Sequence, residues 1–166
     1  MKALILAAAF TAFGSVPASA QDAGSVSAWV VELAAGHAGF VDDATRHHGV
    51  LAGAVRWYLL PRVSVGSEVV IMPGADGDRN LMATANVTLD VRAPARTHRL
   101  IPFVVAGAGL FNQRARVGTG TFSSSEGAFT AGGGLRVALS DRWHVGGEWR
   151  VGWELHSRAT VMVGFR

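Results

Sequence analysis

Residues 142–165 read RWHVGGEWRVGWELHSRATVMVGF, and this stretch decides the fold. Its odd positions run Trp143, Val145, Gly147, Trp149, Val151, Trp153, and its even positions His144, Gly146, Glu148, Arg150, Gly152, Glu154. Alternation at period two marks a strand with unlike faces. Wound as a helix, the same residues would spread the tryptophans around the circumference and hold glycines inside, each costing about 1 kcal/mol relative to Ala. One face carries apolar and aromatic groups with a single Gly, and the other carries charges and glycines. Grease outward and charge inward is the pattern of a transmembrane β-barrel. After a short turn at 155–157 it returns, with Ala159, Val161, Val163 and Phe165 opposite Arg158, Thr160, Met162 and Gly164.

Working outward, five more segments alternate in the same way, and a sixth, 101–111, reads as a strand without clear alternation. In 27–34, Trp29, Val31 and Leu33 face out against Val30, Glu32 and Ala34; in 49–59, Leu51, Val55, Trp57 and Leu59 face out against Ala52, Ala54, Arg56 and Tyr58. Pro61 sets a tight turn, its φ being fixed and its N–H absent. Val63, Val65, Val69 and Ile71 then oppose Ser64, Gly66, Glu68 and Val70, and Leu81 through Val91 oppose Met82, Thr84, Asn86, Thr88 and Asp90. In 101–111 both faces are apolar or small, and the chosen register turns Val104, Ala106, Ala108 and Leu110 out with Gly107 and Gly109 in. Phe129, Ala131, Leu135, Val137 and Leu139 oppose Thr130, Gly132, Gly134 and Arg136. The sum is an all-β fold, an eight-stranded antiparallel up-and-down transmembrane barrel. It must close, because an open edge in lipid would leave backbone groups unsatisfied at several kcal/mol each. Segments 35–48, 73–80 and 112–127 are expected as external loops. Trp29, Trp57, Phe103, Phe111, Phe129, Trp143, Trp153 and Phe165 are expected in interface girdles.

The first twenty residues stand apart as a cleaved signal peptide: Met1-Lys2, an apolar run from Ala3 to Phe13, and Ala18-Ser19-Ala20 before Gln21. Residues 21–166 form one domain. No apolar run is long enough for a spanning helix, and there is no cysteine to staple the fold. The formal charge of +3 comes from dispersed arginines, Lys2 being the one lysine, so nothing suggests a nucleic-acid partner.

The chain resembles the small outer-membrane β-barrel domains of Gram-negative bacteria, the OmpA/OmpX-like and surface-antigen type of eight-stranded barrel. The resemblance rests on GAVRWYLLPRVSVGSE (53–68), GGGLRVALSDRW (132–143) and the C-terminal strand. It implies location in the cell outer membrane, outer-membrane lipid as surroundings, and insertion by the barrel-assembly machinery through a C-terminal signal ending on Phe165. Here Arg166 follows that aromatic. It also implies a structural or surface-interaction role for a monomer whose loops could meet an extracellular ligand.

Glu32, Arg56, Glu68, Asp90, Arg136, Glu148, Arg150, Glu154 and Arg158 all fall on inward faces. The interior of an eight-stranded barrel is filled by side chains, and a buried ion must be paired, so these residues are expected to form a charge network that plugs the lumen. The alternatives are a narrow small-solute pore and, since similar barrels include lipid A deacylases, an enzyme using His156 and Ser157 with Glu154. Catalysis is disfavoured because adjacent residues of a strand point to opposite faces. His37, Asp42, Asp43, His47 and His48 have metal-ligating groups but no defined spacing. No catalytic, cofactor or metal site is assigned.

Overall fold

A computed structural model describes residues 29–40, 46–74, 78–92, 99–117, 120–153 and 156–166. The expected signal peptide, Asp42, Asp43 and Glu154 lie outside these. Eight strands follow one another: β1 (Trp29–Phe40), β2 (Arg46–Leu60), β3 (Val63–Pro73), β4 (Arg79–Asp90), β5 (Leu100–Val117), β6 (Gly120–Ala138), β7 (Trp143–Gly152) and β8 (His156–Phe165). Each pairs antiparallel with the next, and β1 pairs with β8 from Val31↔Phe165 to Phe40↔His156, closing the barrel.

The alternation of the sequence is the alternation of the wall. Leu33, Leu110, Phe129, Trp149 and Val161 are all more than half exposed, whereas Val30, Val70, Met82, Arg136 and Arg158 are buried. β5 adopts the register chosen for it, with Val104 and Leu110 outward and Val105 inward. Aromatic pairs stand near the two rims on the outer surface. Trp29 stacks on Trp57 at 5.0 Å and Trp143 meets Phe165 edge-on at 5.0 Å at the rim where β1 begins; Phe129 meets Trp153 at 5.6 Å near the other.

The first rim, here the turn end, is tightly made. Ser140 Oγ accepts from the amides of Arg142 and Trp143, and the Leu139 amide donates to the Trp143 carbonyl. A serine hydroxyl bonding its own turn is a common way to reverse a chain.

Two expectations are corrected at the opposite rim, the loop end. Segments 35–48 and 112–127 are strand over most of their length: β1 runs on to Phe40 and β2 begins at Arg46, while β5 and β6 leave only residues 118 and 119 between them. The 18 and 19 residues of β5 and β6 compare with 10 each in β7 and β8. Beyond the lipid both faces of a hairpin are polar, so period-two hydrophobicity vanishes although the backbone ladder continues. Asn112, for example, donates to the Ser124 carbonyl and to Ser125 Oγ across the hairpin. Phe103 and Phe111, expected in the girdles, point into the barrel, where each is 2% exposed. They share the inward parity of Ile101 and Val105, and strand-end position does not override parity.

Candidate functional site

The functional groups converge in the lumen. Toward the turn end, one carboxylate gathers three donors. Arg56 of β2 gives Nε and Nη2 to the two oxygens of Glu32 at 2.9 and 2.7 Å, a bidentate pair. Arg136 of β6 adds Nε at 3.2 Å and His144 of β7 adds Nε2 at 2.8 Å, both on Glu32 Oε1. Arg136 also reaches Asp90 of β4 through Nη1 at 2.8 Å, and Tyr58 donates to the other Asp90 oxygen at 2.7 Å. The Arg136 guanidinium lies 3.6 Å from the centre of the Phe103 ring, a desolvated cation–π contact.

Deeper in the barrel a second cluster forms. Arg158 of β8 places Nη2 at 2.7 and 2.6 Å from the Glu68 oxygens of β3. Arg150 of β7 grips Glu148 with Nε and Nη2 at 2.6 and 2.9 Å. Each arginine also approaches the other's acid, Arg150 to Glu68 at 3.3 Å and Arg158 to Glu148 at 3.6 Å. Asn86 accepts from Arg150 Nη1 at 2.9 Å. Two acids therefore face two arginines here, as they do in the first cluster, and each group balances its own charge. That balance is what permits burial, since an unpaired ion at this depth would cost several kcal/mol.

Glycines on the inward faces give the guanidinium stems their room. A Cβ on Gly132 would lie 2.8 Å from Arg150 Cγ, and one on Gly134 would lie 2.7 Å from Phe103 Cζ. Between the two clusters a cavity of about 30 Å³ remains, bordered by Ala34, Ala54, Thr160 and Met162 as well as the ions. It has space for one or two waters.

Above the second cluster, toward the loop end, the bore is filled by Phe40, Val50, Val70, Met72, Met82 and Phe111. His156 stacks between Phe40 and Phe111, with ring centres at 5.3 and 6.4 Å, and His48 meets Phe40 edge-on at 5.0 Å. No sequence pattern marks this layer except inward parity near the strand ends. Parity also places His144 and Tyr58 in the lumen. Their membership in the Glu32 cluster depends on cross-strand register, which one sequence does not reveal.

The remaining candidates separate. His156 is 1% exposed and turned inward, while the neighbouring Ser157 takes the opposite face of β8. The imidazole and the hydroxyl therefore do not meet. His37 and His47 are exposed and stack on the outer wall, Nε2 to Nδ1 at 2.9 Å, whereas His48 points inward. Among the described residues no group of three or more His, Cys, Asp or Glu side chains is placed to hold a metal ion.

A closed antiparallel wall, apolar without and ionic within, defines the class of small membrane β-barrels. A family model described as outer membrane protein beta-barrel domain matches residues 7–160, and the chain belongs to that family and to the outer membrane. No curated protein matches it. Among solved structures it is similar to Neisserial surface protein A (10% identity, TM-score 0.69, covering 84% of this chain and 96% of that one). It is likewise similar to the N-terminal β-barrel domain of Pseudomonas aeruginosa OprF (14%, 0.66, 82% and 96%). A third similar structure is Ail, the attachment invasion locus protein of Yersinia pestis (12%, 0.53, 82% and 95%). At these identities the likeness is one of fold.

Proposed function

We propose that the protein is a non-enzymatic, monomeric outer-membrane barrel that works at the cell surface, with a lumen plugged by its charged clusters and aromatic layer. The observation that carries the surface role is the length of the β5–β6 hairpin. β4 accompanies β5 as far as Arg79↔Arg114, and β7 accompanies β6 only as far as Thr130↔Gly152. Among the described residues, 115–117 and 120–122 thus pair only with each other. A hairpin tip that runs on past both neighbouring strands adds nothing to spanning the membrane, and such segments are where contacts with partners concentrate. The name of Ail, an attachment protein of similar fold, agrees with this reading.

Replacing residues 114–123 by a two-residue turn tests it. The shortened barrel is expected to insert and fold, lipid A composition to stay unchanged, and adhesion of the bacteria to host surfaces to fall. Unchanged adhesion would refute the surface-interaction role, and a changed lipid A profile would favour an enzyme. The plugged lumen has its own test. The purified protein in a planar bilayer should give no steady conductance of porin size, because the remaining cavity admits only water-sized occupants.

A further inference from the structure

On the outer wall at the loop end, the fold brings together two imidazoles from neighbouring strands. His37 belongs to β1 and His47 to β2, both are exposed, and Nε2 of the first stands 2.9 Å from Nδ1 of the second. One of these nitrogens carries the proton and the other accepts it. The register explains the meeting. His37 pairs with Gly49 and His47 with Gly39, so each ring has a glycine directly across the ladder and reaches the other ring on the diagonal. A Cβ on Gly39 would meet nothing within 4 Å, and one on Gly49 would meet Pro73 at 3.7 Å. On the far side of β1, Ala159 of β8 pairs with His37 and Ser157 with Gly39. The neighbours are therefore small, and the rings have room to turn.

An exposed hydrogen bond of this kind contributes little to holding β1 on β2, because water competes for both partners. What the pair offers is two nitrogen donors at a set spacing, carried by backbone that is paired from Trp29↔Trp57 to Phe40↔Arg46. Imidazole nitrogens bind a divalent transition-metal ion at roughly 2.0–2.1 Å, so two of them about 90° apart on one ion stand about 2.9 Å from each other. The spacing seen here is that of neighbouring positions on a square-planar or octahedral ion, whereas a tetrahedral ion would spread the nitrogens to about 3.3 Å. Cu²⁺ and Ni²⁺ favour the first arrangement, and Cu²⁺ binds nitrogen sites most tightly among the first-row divalent ions. On binding, both rings turn their lone pairs to the ion. The ring that had donated passes its proton through water to its own other nitrogen, so a neutral pair takes up the ion with no net release of protons. Water completes the coordination.

We propose that His37 and His47 form a two-imidazole site for an exchangeable divalent transition-metal ion, Cu²⁺ in preference to Zn²⁺, on the outer face of the barrel at its loop end. The outward residues of β1 run Leu33, Ala35, His37 and Gly39 toward that end, and those of β2 run Leu51, Gly49 and His47. The pair thus stands where the apolar band gives way, in reach of ions in the surrounding water. His48, the next residue, has the opposite parity and turns into the barrel, so it is not a third ligand.

The untagged protein, purified from outer membranes in detergent, provides the test. Copper is supplied as its nitrilotriacetate complex, which leaves two neighbouring positions open and so selects paired donors over single histidines. Electron spin echo modulation, which detects imidazoles through their remote nitrogens, should show two of them on the bound copper. H37Q and H47Q should each weaken binding about a hundredfold, since the second imidazole acts at the effective concentration that the ladder imposes. An H98Q control should bind as wild type does. Equal binding by wild type and H37Q/H47Q, or a signal from one imidazole alone, would overturn the site. Displacement of the copper by an equal concentration of Zn²⁺ would overturn the stated metal preference. Heat-modifiable gel migration establishes that each variant is folded before its copper is measured.

Discussion

The two ion clusters of the lumen hold the same charges in different arrangements. Around Glu32 the pattern is a hub: Arg56, Arg136 and His144 all donate to one carboxylate, three of the bonds meeting on Oε1, while Arg136 also holds Asp90. Around Glu68 and Glu148 it is a ring, in which Arg150 and Arg158 each stand within 4 Å of both acids. Equal net charge therefore does not mean equal tolerance of damage. A hub fails when its centre goes, because several buried donors lose their acceptor together. A ring can share the surviving charge.

The largest effect should follow removal of the hub. Glu32→Gln is expected to cost about 3–5 kcal/mol, the range for breaking a buried pair from one side, read as a shift in the urea midpoint for unfolding in detergent micelles. A smaller loss is expected from Glu68→Gln, about 1–3 kcal/mol, because Arg158 can close the 3.6 Å gap to Glu148. If the two variants lose equal stability, the distinction between hub and ring is wrong. If Glu68→Gln loses more, the second cluster rather than the first holds the barrel together.

Much of this wall can be read from the sequence, because the feature that builds it is local. A strand between lipid and a packed lumen must alternate, and Trp143 through Trp153 do so without interruption. Even the ambiguous β5 kept the register in which Gly107 turns inward, where a Cβ would run into Asn86. The length of the hairpins was hidden for the opposite reason. Where Asn112 faces Ser125 above the lipid, water lies on both sides and no apolar period remains to be seen. The lumen was half legible: parity put Arg136 and Asp90 inside, but their pairing arises from strands 46 residues apart. For Phe103, position near a strand end points to the girdle and parity to the lumen; parity decides, and the ring lies against Arg136 as a buried guanidinium favours.

The closure of β1 on β8 has a consequence for how the barrel is assembled. Glu32 sits on the first strand, and two of its partners, Arg136 and His144, arrive 104 and 112 residues later. Only when the last strand docks against the first are those partners brought within reach. Were that final docking to slip by two residues, the wall would still present its apolar side to the lipid, but Glu32 would move about 7 Å along the barrel and miss them. A join out of register would leave that carboxylate and its donors buried and unpaired, an energetic penalty that the hydrophobic pattern alone would not impose.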